Sequence, residues 1–220
     1  MSLWQDYLTN RGKPIGKWVH YFSVYERHLA AKRNSDLLVF EIGVAGGGSS
    51  QMWSRFFGPR AHVVGVDIDP RCAAHNGLAV SIRIGSQNDR EFLGKIIEEF
   101  GIPDVVIDDG SHRMEDILTS FQTLYPLMPK NSVYLVEDLH TAYWKSYGGG
   151  HKNPASFINI SKHFIDQLNA HWCAEDGLTP DLMTRDTFGI SFYDSMVVFE
   201  KGGVRWREAP VIGEGYRAPL

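Results

Sequence analysis

Short apolar runs alternate along the chain with stretches whose apolar residues recur every three or four positions. Leu37–Ile42 (LLVFEI) reads as a buried strand that breaks at Gly43. Helical spacing resumes from Ser49 through Met52, Trp53 and Phe56 until Gly58-Pro59 stops it. Residues 62–67 (HVVGVD), Val80–Ile84, Val105–Asp108 and Val133–Val136 repeat the strand pattern. Between them, 89–100 predicts a helix with an aspartate at its start and Gly101 just past its end, and 114–125 predicts another. Upstream, Trp18, Tyr21, Phe22, Tyr25 and Leu29 have the spacing of a helix over 17–33, ended by Asn34-Ser35. Residues 188–193 and 196–200, separated only by Asp194-Ser195, read as a hairpin.

Strands alternating with helices predict an α/β fold: a mostly parallel sheet with helices on both faces, right-handed crossovers and an antiparallel hairpin at its end. The chain reads as a single domain over 1–220, with 1–35 as an amino-terminal helical cover. Residues 139–153, aromatic and glycine-rich without clean periodicity, read as a substrate loop or as a structural loop anchored by Tyr143, Trp144 and Tyr147. With 220 residues, the chain can bury roughly 70% of its extended surface.

Charge narrows the partners. Twenty-two basic against 26 acidic residues give a net charge of −4, which argues against broad nucleic-acid binding. The first residues lack the pattern of a signal peptide, and no apolar run is long enough for a membrane span. Cys72 and Cys173 form neither a disulfide framework nor a zinc site by themselves. A cytoplasmic location is expected.

The segment V39-F-E-I-G-V-A-G-G-G-S-S50 turns from strand to helix through glycines, which let backbone N–H groups approach a ligand. Asp67, ending the second strand, is placed to accept from ribose hydroxyls; a tight structural turn and a polar strand terminus are the plainer readings. A dinucleotide fingerprint needs a middle glycine where Val44-Ala45 follow Gly43, and no Gly-Lys-Ser/Thr completes a P-loop. The stretch resembles the E-x-G-x-x-x-G motif of class I S-adenosylmethionine-dependent methyltransferases. That resemblance implies a Rossmann-like class I methyltransferase fold, with Gly43 and Gly46 beside the methionine part of the cofactor and Asp67 on its ribose.

Two acidic segments, D108-D-G-S-H112 and E137-D-L-H140, follow the fourth and fifth strands and emerge at the sheet's carboxyl edge, where ligands bind. Carboxylates converging there repel one another unless a cation or protons intervene, and an oxygen-rich set favours Mg²⁺ over structural zinc. Together with K17-W-V-H-Y-F-S-V-Y-E26 and F188-G-I-S-F-Y-D-S-M-V-V-F-E-K201, these segments resemble the metal-dependent sugar O-methyltransferases of the macrocin and mycinamicin group. The resemblance implies Asp109, Glu137 and Asp138 as Mg²⁺ ligands and His112 as general base. It also implies cofactor contacts at Glu41, Ser49 and Asp109, with Lys17 and Tyr21 close by.

Ser86 and Gln87 follow the third strand and are candidates for adenine contacts or for capping the next helix. Tyr143 and Trp144 can stack on a ring substrate, or simply pack; His140 has no assigned role. The expected activity is Mg²⁺-dependent methyl transfer from S-adenosylmethionine to a hydroxyl of a sugar or glycosylated natural product. The expected partner is therefore a small hydroxylated acceptor, with neither nucleic acid nor membrane; a homo-oligomer stays open. Alternatives are an NAD-dependent oxidoreductase, motivated by Gly43 and Asp67, and a different modifying enzyme on this fold, such as an antibiotic hydroxylase-like relative.

Overall fold

The apolar runs become the strands of one seven-stranded sheet, in the order β3-β2-β1-β4-β5-β7-β6. The computed structural model describes residues 1–173, 177–202, 211, 213 and 214. The strands are β1 (Leu37–Ile42), β2 (Ala61–Asp67), β3 (Val80–Ile84), β4 (Val105–Asp108), β5 (Val133–Val136), β6 (Thr187–Tyr193) and β7 (Met196–Lys201). The first five are parallel, whereas β7 runs antiparallel to both β5 and β6. The helices are α1 (Leu3–Leu8), α2 (Tyr21–Leu29), α3 (Gly48–Phe57), α4 (Arg90–Phe100), α5 (Met114–Leu124), α6 (Phe157–Asn169) and α7 (Leu182–Asp186).

Alternate strand residues feed two apolar layers, because successive side chains point to opposite faces. Val39, Val63, Val105 and Ile107 pack with Tyr25 of α2 and with Trp53 and Phe57 of α3. Phe40, Val64, Val106 and Tyr134 join Ile96 of α4, Phe121 of α5 and Phe157 of α6 on the other face. The expected doubly covered sheet with its terminal hairpin is what forms. Strand order reverses between β1 and β4, and the exits of these two strands create the crevice in which ligands of open α/β sheets bind.

The structure corrects the first helix. Residues 17–20 are not helical: α2 starts at Tyr21 and passes into a 3₁₀ turn over Ala30–Lys32. Trp18 and Val19 have helical spacing, yet they are 55% and 66% exposed and have no face to bury. Lys13 to Ile15 instead cross the start of α3, and the strap they begin runs on through Trp18 to the exits of β4 and β5. Three helices went unanticipated: α1, α6 and α7. The 139–153 segment is folded, as two 3₁₀ turns (Leu139–Tyr143 and Lys145–Tyr147) closed by a bond from Gly150 N–H to the Ala142 carbonyl. No described helix is long and apolar enough to cross a membrane.

Phe121 is the hub of the second layer, in ring contact with Tyr125, Tyr134, Phe157, Phe164 and Phe199. Phe121→Ala should lower unfolding free energy by about 3–5 kcal/mol, the range for emptying a tightly packed aromatic site. Urea titration of both proteins measures the difference.

Candidate active site

The glycine turn after β1 is held from below and from the side. Beneath it, the buried Glu41 carboxylate accepts from Ser50 Oγ and, at 3.1 Å, from Trp53 Nε1, fastening β1 to α3. Beside it, Asp67 Oδ2 accepts from the N–H groups of Val44 (2.8 Å) and Ala45 (2.9 Å), while Oδ1 accepts from Asp69 N–H. Partial burial pushes the Asp67 carboxyl up, but these backbone donors outweigh it and hold the group below the usual range. Gly43, with φ of +92°, approaches β4 so closely that a Cβ there would lie 2.0 Å from the Asp109 carbonyl. A Cβ on Gly48 would lie 2.2 Å from the Pro14 carbonyl, so that glycine admits the strap rather than a ligand.

A cleft of about 610 Å³ opens between the turn, the strap and the exits of β4 and β5. Pro14, Ile15 and Gly16 line one side; Gly43, Gly46, Ser49, Asp67, Asp109, His112 and Asp138 complete it. A hollow of about 150 Å³ continues past Asp67 to Ser86 and Gln87. Gln87 is buried there, donating to Asp108 Oδ1 at 3.0 Å and accepting from Ser111 N–H at 2.7 Å. Ser86 Oγ accepts from Asn88 N–H.

The adjacent aspartates after β4 have opposite fates. Asp108 points into the second layer and accepts from Ser120 Oγ (2.6 Å), Tyr134 Oη (3.0 Å) and Gln87. Burial pushes its carboxyl up to about 6 against these bonds. Asp109 faces the cleft. Its Oδ2 accepts from Lys17 Nζ at 2.5 Å, and the same ammonium donates to Glu137 Oε2 at 2.9 Å. Burial works against the Lys17 charge, but Asp109, Glu137 and Glu41 together more than restore it. Burial and the Asp109 charge push the Glu137 carboxyl up to about 8, against the downward pull of Lys17. The other Glu137 oxygen, Oε1, is buried on the side of the Tyr25 phenol, the nearby donor that also pulls this carboxyl down.

Asp138 (φ +55°) and His112 (φ +58°) both sit in the left-handed region, where non-glycine residues are strained and which functional sites often use. Asp138 is fixed by the Tyr21 phenol, which donates to Oδ1 at 2.8 Å and accepts from Asp138 N–H at 3.1 Å. The turn of the β6–β7 hairpin closes over this corner: the Ser195 carbonyl accepts from Tyr21 Oη and from Leu139 N–H. His112 Nε2 lies 4.0 Å from Asp109 Oδ1 and 3.7 Å from Asp138 Oδ2. Asp109, His112 and Asp138 thus offer ligand atoms within 4.8 Å of one another.

Of the expected cofactor set, Gly43, Gly46, Ser49, Asp67 and Asp109 line the large cleft. Ser86 and Gln87 line its extension, Glu41 lies buried beneath it, and Lys17 and Tyr21 support the acidic corner. Of the expected metal set, Asp109 and Asp138 group with His112, whereas Glu137 is engaged by Lys17. Tyr143 and Trp144, about half exposed, stand outside the cleft lining. Sequence reasoning missed Ser195 and the Pro14–Gly16 wall; the N10-R-G-K-P14 stretch was the available signal for the strap. The donor set fits a hard divalent cation, since the Asp109 and Asp138 carboxylates offer oxygens within 4.8 Å of each other and of His112.

No protein-family model matches the chain. It is 35% identical over 200 residues to the demethylmacrocin O-methyltransferase of Streptomyces fradiae, covering 84% of this chain and 50% of that protein. It is 34% identical over 198 residues to the 8-demethyl-8-(2-methoxy-alpha-L-rhamnosyl)-tetracenomycin-C 3'-O-methyltransferase of Streptomyces olivaceus, covering 85% and 50%. The structure of the MycE methyltransferase from the mycinamycin biosynthetic pathway, in complex with Mg, SAH and mycinamycin VI, superimposes with a TM-score of 0.79 at 34% identity. It covers 91% of this chain and 53% of that one. The chain is homologous to the macrocin- and mycinamicin-type sugar O-methyltransferases. It spans about half the length of these relatives, and its fold is that of a class I methyltransferase. The oxidoreductase alternative finds no support among these methyltransferase homologues.

Removing the Lys17 charge exposes what it balances. Lys17→Met should cost about 3–5 kcal/mol of stability in chelator, the scale for breaking a buried ion pair from one side. Added Mg²⁺ should recover more stability in the variant than it adds to the wild type. Thermal unfolding with and without Mg²⁺ checks both; a variant as stable as wild type in chelator would contradict this role.

Proposed function

We propose that the chain is the catalytic domain of a Mg²⁺-dependent O-methyltransferase that moves a methyl group from S-adenosylmethionine to a hydroxyl of a sugar or glycosylated small molecule. The observation that carries this reading is one cleft shared by the glycine turn and the Asp109–His112–Asp138 cluster. The cleft volume lies within the usual range for a small-molecule site, and its position at the β1/β4 switch is where such folds take their ligands. The reading treats residues 1–220 as a single domain.

The proposed roles join the family resemblance to where each residue sits. Gly43, Gly46 and Ser49 border the space for the methionine part of the cofactor. Asp67 retains acceptor capacity at the mouth of the Ser86–Gln87 hollow, where ribose and adenine would lie. S-adenosylmethionine brings a methyl carbon made electrophilic by its sulfonium, so the enzyme's remaining task is the acceptor oxygen. Asp109 and Asp138 would hold a divalent cation, with Glu137 behind them; when bound, it supplies Lewis-acid stabilisation of charge developing on that oxygen. His112, lining the same cleft, would take the hydroxyl proton as the oxygen attacks. Tyr21 and Ser195 hold Asp138 in register for this geometry, and Pro14 to Gly16 wall the cofactor side.

Transfer to a glycoside acceptor, followed by mass spectrometry, tests the reading. Activity should disappear on dialysis against chelator and return with Mg²⁺. His112→Ala should retain SAH binding while losing roughly 10²–10⁴-fold in single-turnover rate. A folded wild type that binds no SAH would sink the proposal, and a near-wild-type rate in His112→Ala would remove the base assignment.

A further inference from the structure

Gln87 follows β3 at a position that suggests an adenine contact, yet the fold spends its amide inside the protein. The side chain is 6% exposed. Its Nε2 donates to Asp108 Oδ1 at 3.0 Å and to Ser120 Oγ at 3.3 Å, while its Oε1 accepts from Ser111 N–H at 2.7 Å. These partners fix which way the amide faces. A backbone N–H must meet the oxygen, and a carboxylate is answered by the nitrogen, so both ends demand one orientation. Both amide N–H groups are then engaged. Gly110 closes on the oxygen so tightly that a Cβ there would lie 2.0 Å from it.

What the amide holds is the turn between β4 and α5. His112 has φ of +58°, a conformation that a non-glycine residue keeps only where its surroundings enforce it. Bonds on both sides of His112 supply that enforcement. Thr141 Oγ1 donates to the His112 carbonyl at 3.1 Å, and Ser111 Oγ donates to Asp116 Oδ2 at 2.7 Å. Gln87 ties the same turn from the buried side, linking Ser111 N–H to Asp108 at the end of β4. We infer that Gln87 is a positioning residue: it sets the Gly110–Ser111 backbone and through it aims His112 at the acceptor oxygen, leaving adenine to be read by other groups. The inference rests on the methyltransferase reading and adds a residue that acts through His112 without touching substrate. Gly110 and Ser111 line the adenine-side hollow together with Gln87, so that wall and the His112 turn are one hydrogen-bonded piece.

The test uses Gln87→Met, which keeps the length of the side chain and removes its amide. Hydrogen exchange on the SAH- and Mg²⁺-loaded protein should speed up about 10-fold over residues 109–113, with the remaining segments unchanged. SAH affinity should stay within about 3-fold of wild type, and so should its ratio to the affinity for S-inosylhomocysteine, which lacks the adenine amine. Single-turnover transfer to a glycoside acceptor should fall roughly 10- to 100-fold, the scale for a small misplacement of a reacting group. Gly110→Ala pushes the amide off Ser111 from the other side and should reproduce the rate loss, which keeps the test alive if Gln87→Met does not fold. Ser120→Ala trims the same buried network but spares the Gln87–Ser111 bond, so its rate should stay within about 3-fold of wild type. Unchanged exchange over 109–113 or a wild-type rate in Gln87→Met overturns the inference. Collapse of the SAH preference in that variant also overturns it, by making Gln87 the adenine reader. An equal rate loss in Ser120→Ala does so too, since the effect would then be general loosening. A folded wild type that binds no SAH, or transfers to no glycoside, is a separate result that removes the methyltransferase reading and this inference with it.

Discussion

The arrangement depends on one ammonium group, Lys17 Nζ, held between Asp109 and Glu137 with 2% of its side chain exposed. Topology forces the problem that it solves. Parallel strands deliver their carboxyl ends to one edge, so acidic residues following β4 and β5 crowd together however far apart they lie in sequence. At an effective dielectric constant of about 20, two like unit charges ~4 Å apart repel by about 4 kcal/mol. A single resident cation offsets that repulsion with two attractions and leaves Asp138 and the outer Asp109 oxygen facing the cleft.

Lys17 also explains the shape of the amino-terminal segment. To reach the acidic corner, its backbone must cross the start of α3, and the missing Cβ of Gly48 makes room for that crossing. The strap then does three things within a few residues. Pro14 to Gly16 wall the cleft, Lys17 offsets part of the acidic charge, and Trp18 walls the hollow beside it. The hairpin turn braces the opposite side, where Ser195 holds Tyr21, Leu139 and His140. Cofactor cleft and charged corner therefore share a frame, with the strap as a common wall.

Much of this was legible in sequence, and the residue pattern shows why. The strands are short apolar runs buried on both faces, a signal that survives without knowledge of neighbours. The two acidic segments could be placed at one edge because strand polarity alone decides which end they leave. The rest is non-local. Lys17 finds its partners 92 and 120 residues away, so nothing near it in the chain marks it as a counter-ion. Its neighbours Trp18 and Val19 imitate helical spacing while serving the surface, which extended the first helix too far. The glycines after β1 pointed to a ligand, yet Gly43 and Gly48 are required by backbone approaches within the protein itself. Helix α6 carries amphipathic spacing in Phe157, Ile158, Ser161 and Phe164, a local signal interrupted by polar residues on its other face.

The central claim is that the Asp109–His112–Asp138 corner is a divalent-cation site backed by Lys17. Anomalous diffraction from crystals grown with SAH and Mn²⁺, an Mg²⁺ substitute visible to X-rays, addresses it most directly. The account predicts an anomalous peak in contact with the Asp109 and Asp138 carboxylates, beside SAH seated on the Gly43–Gly46 turn. A well-ordered SAH complex with no peak at this corner, Lys17 still bridging Asp109 and Glu137, would contradict it.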